Sequence, residues 1–118
     1  MSEVDSKRRE IMDLVLFKDG EGKIDWSYKK DVDSVQGKFG DFEIHLDKKS
    51  SASAELYKIW FWGSDSEILD DFVIRKTILG PSQSLSEYYV GVGKIFKREV
   101  ERLKADALNS LVKTLKDL

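Results

Sequence analysis

From residue 84 to residue 117 the sequence follows one uninterrupted helical pattern, and its length limits every architecture available to the 118-residue chain. Apolar residues recur there every three, four or seven positions, and no proline interrupts them. One helix of that length would be about 50 Å long at 1.5 Å per residue. A compact domain of this size is only about 35 Å across. The helix must therefore overhang its domain or break, with Gly91 and Gly93 as the candidate breakpoints.

The far end of this helix is too apolar for an unsupported tail. A solvated tail should be polar on all sides, yet large apolar side chains continue to the last residue. We therefore expect this part to pack against its own domain or against a second chain. The residues concerned are Leu103, Leu108, Leu111, Leu115 and Leu118.

Alternation of apolar and polar residues before this helix predicts antiparallel β-strands. Two strands are centred on Ile24-Trp26-Tyr28 and Phe42-Ile44-Leu46, and a third covers 54–62 after a polar hairpin loop at 47–53. Residues 64–80 fit two structures. A capping box at Ser64 and Glu67 favours a helix, whereas the β-branched and aromatic residues of 72–78 favour a fourth strand. Both remain open, with a lean toward the strand.

The N-terminal segment, residues 2–16, predicts a short amphipathic helix. Val4, Ile11, Leu14 and Val15 recur at roughly helical spacing beneath a charged opening turn. Together these elements predict a single α+β domain spanning 1–118. Its parts are an N-terminal helix, an antiparallel meander of three to four strands, and a long C-terminal helix packed on the sheet.

The stretch FKDGEGKIDW, residues 17–26, resembles a calcium loop only in part. With Gly22 at the sixth position of an EF-hand loop, Phe17 and Tyr28 stand where the first carboxylate and the bidentate glutamate belong. We expect a turn that uses glycine at positive φ. Similarly, Gly91-Val92-Gly93-Lys94 lacks the remaining residues of a phosphate loop. These glycines predict close helix packing or a bend.

Composition excludes several kinds of chemistry. The chain has no cysteine and one histidine, so thiolate catalysis, disulfides and sites needing two imidazoles cannot form within it. A net charge of −2 gives no general attraction to nucleic acid or an anionic membrane. We predict no cofactor and no metal site, no membrane contact, and a cytoplasmic location because no apolar leader or spanning segment is visible.

Carboxylates beside the single histidine offer the best case for an enzyme. Asp41, Glu43 and Asp47 share a strand face with His45, where they could bind a metal ion or divide acid and base duties. Such chemistry needs a walled cleft that separates two pKa values. A solvated strand face carries the same pattern, so we predict no enzyme and no catalytic residue.

Residues 56–62, LYKIWFW, are apolar on both faces of a strand. The C-terminal helix would cover one face, and the N-terminal helix is the expected cover for the other, with a second copy or a ligand as alternatives. If the second face is open, Trp60 and Trp62 beside Lys58 and Arg75 would form an interface anchor.

These patterns predict a non-catalytic protein-protein interaction module whose partner is itself, as a homodimer, or another protein. The expected partner-binding residues are Lys58, Trp60, Trp62, Arg75, Leu108, Leu111 and Leu115. One alternative is a single-stranded nucleic-acid binder with stacking aromatics, disfavoured by the acidic side chains expected on the same face. The other is a small metal-dependent or acid/base hydrolase.

Overall fold

A computed structural model of the chain describes residues 2–51, 54–76 and 85–118. Its elements are helix α1 (Glu3–Gly20), five strands, a short 3-10 turn (Ser86–Tyr88) and helix α2 (Tyr89–Lys116). The strands are β1 (Asp25–Lys29), β2 (Ser34–Phe39), β3 (Phe42–Ser51), β4 (Ala54–Trp62) and β5 (Ile68–Arg75). The predicted α+β layout is therefore confirmed, with one strand more than expected. None of the helices in the described ranges is long and apolar enough to cross a membrane.

The five strands form one antiparallel meander in the order β1-β2-β3-β4-β5. The additional strand is β2, which pairs with β1 through Trp26 opposite Gly37 and with β3 through Gly37 opposite Ile44. β3 continues to Ser51, so the hairpin loop predicted from residue 47 begins too early; 52–53 lie outside the described residues. β5 settles the open segment as a strand as far as Arg75, and 77–80 lie outside the described residues.

The two faces of the sheet differ because side chains alternate along each strand. One face, called here the core face, carries the buried residues Ile44, Ile59 and Ile74 on the three strands β3 to β5. The opposite face, called here the outer face, carries His45, Trp60 and Asp71 in one register row. Core residues of both helices belong to the same buried cluster as the core face. Both helices therefore cover one side of the sheet.

The prediction that α1 covers the outer face is wrong. α1 packs on the core face through Met12 and Val15, which are both buried. Of the apolar residues expected to form its buried side, Val4, Ile11 and Leu14 are exposed. No element in the described ranges lies over the outer face. The turn that follows α1 matches expectation, because Gly22 adopts a φ of +71°.

Helix α2 runs without a break through Gly91 and Gly93. The predicted close packing is confirmed at Gly91, since a Cβ there would lie 2.9 Å from a methyl group of Leu16. The helix begins at Tyr89, later than predicted, and Ser84 of the expected capping box lies outside the described residues. Val92, Ile95 and Phe96 bury the first part of α2 against the core face.

The remainder of α2 projects beyond the rest of the chain. Every residue from 101 to 118 is exposed, and this segment is called here the C-terminal tail. The longest dimension of the molecule is 61 Å, against 36 and 25 Å for the other two. The helix therefore overhangs its domain, which is one of the two outcomes that the sequence allows.

Candidate interaction surfaces

The C-terminal tail exposes a row of large apolar side chains. Leu111 and Leu115 are 54% and 59% exposed, and the other large apolar side chains of the tail range from 42% at Leu103 to 94% at Leu118. A helix positions residues four apart on one face. Leu103, Ala107, Leu111 and Leu115 therefore form one row, and Leu108 and Val112 form a second row beside it. Together the two rows cover about half of the helix circumference at 100° per residue.

The other half of the tail is polar. Asp106, Asn109 and Lys113 lie opposite the apolar rows. Helices of globular proteins place such an apolar face against a core and the polar face toward water. No element of the described residues buries the apolar face of the tail, whose residues are all exposed.

Charged side chains fix the tail to its domain at the point where it leaves. Arg98 of α2 donates to both carboxylate oxygens of Asp19 at 3.0 and 2.8 Å, and the Trp26 indole donates to the same carboxylate at 2.9 Å. Glu99 is only 2% exposed and pairs with Arg98 at 2.9 Å and Arg102 at 3.0 Å. The hydrogen bonds from Arg98 hold the pKa of Asp19 below its usual value, although burial acts in the opposite direction.

This network determines the direction in which α2 projects. It joins the end of α1, the start of β1 and the third and fourth turns of α2 through two carboxylates and two guanidinium groups. Bidentate pairs between arginine and carboxylate restrict geometry more than single contacts do. The tail is therefore a rigid extension of the domain at its base.

The outer face holds the aromatic residues predicted as an anchor. Trp60 lies in the register row of His45 and Asp71, Lys58 lies opposite Asp47 and Val73, and Arg75 lies opposite Leu56. The structure therefore brings Lys58, Trp60, Trp62 and Arg75 to one surface, as the alternation of β4 predicts. Trp60 and Trp62 are half-buried there by neighbouring side chains.

Neighbouring side chains lie against the indole rings of both Trp60 and Trp62 on the outer face. The Lys58 ammonium lies 4.2 Å from the centre of the Trp60 ring, and the Trp60 indole donates to Asp47 at 3.0 Å. The ring of His45 lies against Trp62 at a tilt of 31° with centres 5.4 Å apart, and the His45 Nε2 lies 3.1 Å from Glu43. These contacts engage both indole rings within the sheet, although the buried Trp62 Nε1 has no hydrogen-bond partner among the described residues.

The predicted binding residues therefore belong to two separate surfaces. Leu108, Leu111 and Leu115 are on the tail of α2, and α2 covers the core face. The aromatic group is on the outer face. A single contact with one small partner cannot include both sets, because the sheet separates them.

The residues considered for catalysis do not converge on one site: Asp41 and Glu43 line an open depression of about 260 Å³, whereas His45 and Asp47 do not line it. Glu43 and His45 are half-buried on the outer face, and Asp41 is exposed in the turn between β2 and β3. Among the described residues, no group of three or more carboxylates and imidazoles is arranged to hold a metal ion. Gly91 and Gly93 lie inside α2 and present no loop of free backbone amides.

A third surface was not expected from the sequence: an apolar groove along α1, here called the α1 groove. It has a volume of about 650 Å³ and lies between α1 and the turn that joins β2 to β3. Leu14 and Phe42, 51% and 48% exposed, face each other across it. The other lining residues are Ile11, Val15, Ile24, Phe39 and Gly40, with Lys18, Lys23 and Asp41 at the rim.

The sequence of α1 contains a signal for the groove, namely the apolar residues that remain outside the side facing the sheet. Met12 and Val15 face the sheet, whereas Ile11 and Leu14 extend the apolar surface onto a second, adjoining side of the helix, about 40° and 100° from Val15. Apolar residues that extend beyond the side facing the sheet favour a second packing contact. No protein-family model, curated protein or solved structure matches this chain, so its function is argued from the tail, the outer face and the α1 groove.

Proposed function

We propose that the chain is a non-catalytic protein-protein interaction module that assembles as a homodimer through its C-terminal tail. One observation carries the proposal: residues 101–118, of which 101–116 are helical and Asp117 is the helix cap, are all exposed while about half of the tail circumference is apolar. Burying one leucine side chain contributes about 1.5 to 3 kcal/mol. Six large apolar side chains on the tail are enough to offset the loss of free motion when two molecules associate.

The charge of the tail supports a second copy as the partner. Residues 101–118 carry four basic side chains and three acidic ones, a net charge of +1. Two such tails repel each other only weakly at physiological ionic strength. If the tail bound an oppositely charged partner, it would be expected to carry a larger net charge of one sign.

The absence of cysteine agrees with assembly in a reducing compartment such as the cytoplasm.

The outer face provides the second contact surface of the proposed module. Lys58, Trp60, Trp62 and Arg75 present aromatic and cationic groups of the kind that dominate interface energies. Asp47 and Asp71 lie among them and pair with Trp60 and Lys58. We assign this surface to another protein or to higher assembly, because it lies on the opposite side of the sheet from α2.

Nucleic-acid binding is the weaker candidate on the same evidence. Base stacking needs an open ring face, but Lys58 lies over Trp60 and His45 lies on Trp62. Acidic side chains on the outer face also oppose phosphate. We expect no binding of single-stranded oligonucleotides even at low salt, as measured by fluorescence anisotropy. Binding that weakens steeply with added salt would reverse this preference.

The test of the dimer uses matched substitutions on the two sides of the tail. Leu111→Gln with Leu115→Gln removes two apolar contacts without adding charge, and glutamine preserves helix propensity. Asp106→Gln with Lys113→Gln places the same residue on the polar side and keeps the net charge. We expect sedimentation equilibrium to give a monomer for the first pair and a dimer for the second. Equal association of both variants would contradict the role of the tail.

A further inference from the structure

We infer that the tail of each copy lies in the α1 groove of the other copy, so that the dimer is held by two reciprocal helix-in-groove contacts. This inference rests on the proposed homodimer and identifies the receiving surface. It joins the two apolar surfaces for which the described residues provide no cover: the apolar side of the tail and the second apolar side of α1.

The position of the groove suits a helix. α1 crosses the sheet from β5, where Arg8 pairs with Asp70 at 2.8 Å, to β1, where Asp19 accepts from Trp26. α2 packs along one side of α1, with Gly91 against Leu16. The groove lies along the other side, above the end of the sheet at which β2 turns into β3. A helix placed there would become the third member of one helical layer.

The groove extends along most of α1. Ile11 lines both the α1 groove and an adjoining depression of about 370 Å³. That depression is bounded by Val4 and Lys7 of α1 and by Leu69 of β5, whose side chain is exposed. α1 has 18 helical residues and is about 27 Å long, and the helical part of the tail, residues 101–116, is about 24 Å long. The tail helix is therefore similar in length to the helix that forms the groove.

The tail cannot reach the groove of its own chain. α2 is one continuous helix from Tyr89 to Lys116 and lies on the opposite side of α1 from the groove. The ion pairs of Arg98 fix its course as it leaves the domain. A tail in the α1 groove must therefore come from another molecule, and exchange between two identical copies closes the assembly with twofold symmetry.

The shape of the tail favours a groove over a second tail as its contact. In a pair of helices each buries a seam of about two positions in seven, which is narrower than the apolar half of the tail. Two tails about 24 Å long and about 10 Å wide would cover about 240 Å² on each copy. Stable interfaces bury about 800 Å² per partner. Reciprocal docking doubles the number of contacts, and the groove walls also cover the flanks of each tail.

The first test uses substitutions in the groove of the full chain. Leu14→Gln with Phe42→Gln should weaken dimerisation more than about 100-fold, because both side chains lose their burial in the two contacts. Phe17→Gln with Val32→Gln is the matched control, since both residues are exposed and do not line the groove. Circular dichroism verifies that each variant is folded. A dimer unaffected by the groove substitutions would overturn the groove assignment and leave the homodimer standing.

The second test identifies which surfaces meet. The chain has no cysteine, so single cysteines report contacts without background. Glu10 lies midway along α1 on its exposed side, and Asn109 lies midway along the tail on its polar side. Chains with Glu10→Cys and chains with Asn109→Cys, separately tagged, are mixed and treated with a short bismaleimide. We expect the mixed cross-link between residues 10 and 109 to exceed the cross-link between two copies of residue 109.

Each remaining outcome counts against a defined part of the account. A dominant link between two residues 109 means that the tails pair with each other, which overturns the groove inference and keeps the dimer. A folded chain that stays monomeric at high concentration overturns both. A monomer that binds an apolar fluorescent dye, with binding lost in Leu14→Gln and Phe42→Gln, would assign the groove to a small apolar ligand.

Discussion

Asp19 contributes both to the stability of the fold and to the direction in which α2 leaves the domain. Its carboxylate accepts hydrogen bonds from Arg98 and Trp26, and the pairing with Arg98 lowers its pKa below the usual 3.8. A carboxylate with a lowered pKa in the folded state stabilises the fold above pH 3.8. That contribution is lost as the pH falls through the lowered pKa, because the folded protein must then bind a proton.

Replacement of Asp19 should therefore have an effect that depends on pH. Asp19→Asn should reduce the free energy of unfolding by about 1 to 2 kcal/mol at pH 7, a value discounted for the partial exposure of Arg98. The difference from the unmodified protein should shrink below pH 3.8. Urea unfolding at pH 7 and pH 3 measures it, with Asp41→Asn in the exposed turn as control. The same loss at both pH values would exclude the ion pair as its cause.

Gly37 and Gly91 both lie close to a neighbouring side chain, but the neighbour is rigid at Gly37 and flexible at Gly91. A Cβ on Gly37 would lie 2.7 Å from the ring of Trp26, which is buried and cannot move aside. A Cβ on Gly91 would meet only the flexible end of Leu16 at 2.9 Å. We expect Gly37→Ala to destabilise the fold by about 1 to 3 kcal/mol. Gly91→Ala should change the free energy of unfolding by less than about 1 kcal/mol, since it gains helix propensity. Denaturant unfolding that gives equal losses would contradict this distinction.

At the scale of elements, an isolated helix as long as the tail is only marginally stable in water. The tail should therefore depend on its contact with a second copy. We expect backbone amides of 103–114 to exchange with deuterium slowly at high protein concentration and faster on dilution. Residues 92–100 of the same helix, which pack on the core face, should exchange at a rate independent of concentration. Protection of the tail that does not change with dilution would argue against intermolecular contact.

The strands show which elements a sequence of this kind reveals. β1, β3 and β4 carry large apolar residues at alternate positions, and all three were predictable from that period. β2 was missed because Gly37 occupies the core-face position at its centre, where the pattern needs a large side chain. The remaining alternation of Val35 and Phe39 with polar neighbours was the available signal. Trp26 fills the space above Gly37, which explains why the strand tolerates a glycine.

Only some features of the two helices could be predicted from the sequence. The length of α2 and the apolar residues of its tail followed from the apolar period, whereas its continuity through Gly91 and Gly93 was left open and is shown only by the structure. The side of α1 that meets the sheet did not, because a shift of one position exchanges Met12 for Ile11 in the core. The α1 groove depends on that phase and on the turn after β2, so only the three-dimensional arrangement reveals it. The placement of Trp60 and Trp62 on one face was predictable from alternation alone.

At the scale of the whole molecule, one sheet separates two kinds of surface. The helical side carries the tail and the groove, both apolar and both incomplete, whereas the outer face carries aromatic side chains already engaged by their neighbours. Association through the helical side would leave the outer faces of both copies pointing away from the contact. A homodimer of this kind would present two identical outer faces to a further partner.

The absolute mass of the full chain in solution tests this account most directly. Light scattering across a range of concentrations should give twice the chain mass of 13.6 kDa, about 27 kDa, with dissociation toward 13.6 kDa on dilution. The Leu111→Gln and Leu115→Gln variant should remain at the monomer mass over the same range. A mass of 13.6 kDa for the unmodified chain at every concentration would contradict the homodimer, and with it the assignment of the tail as an assembly device.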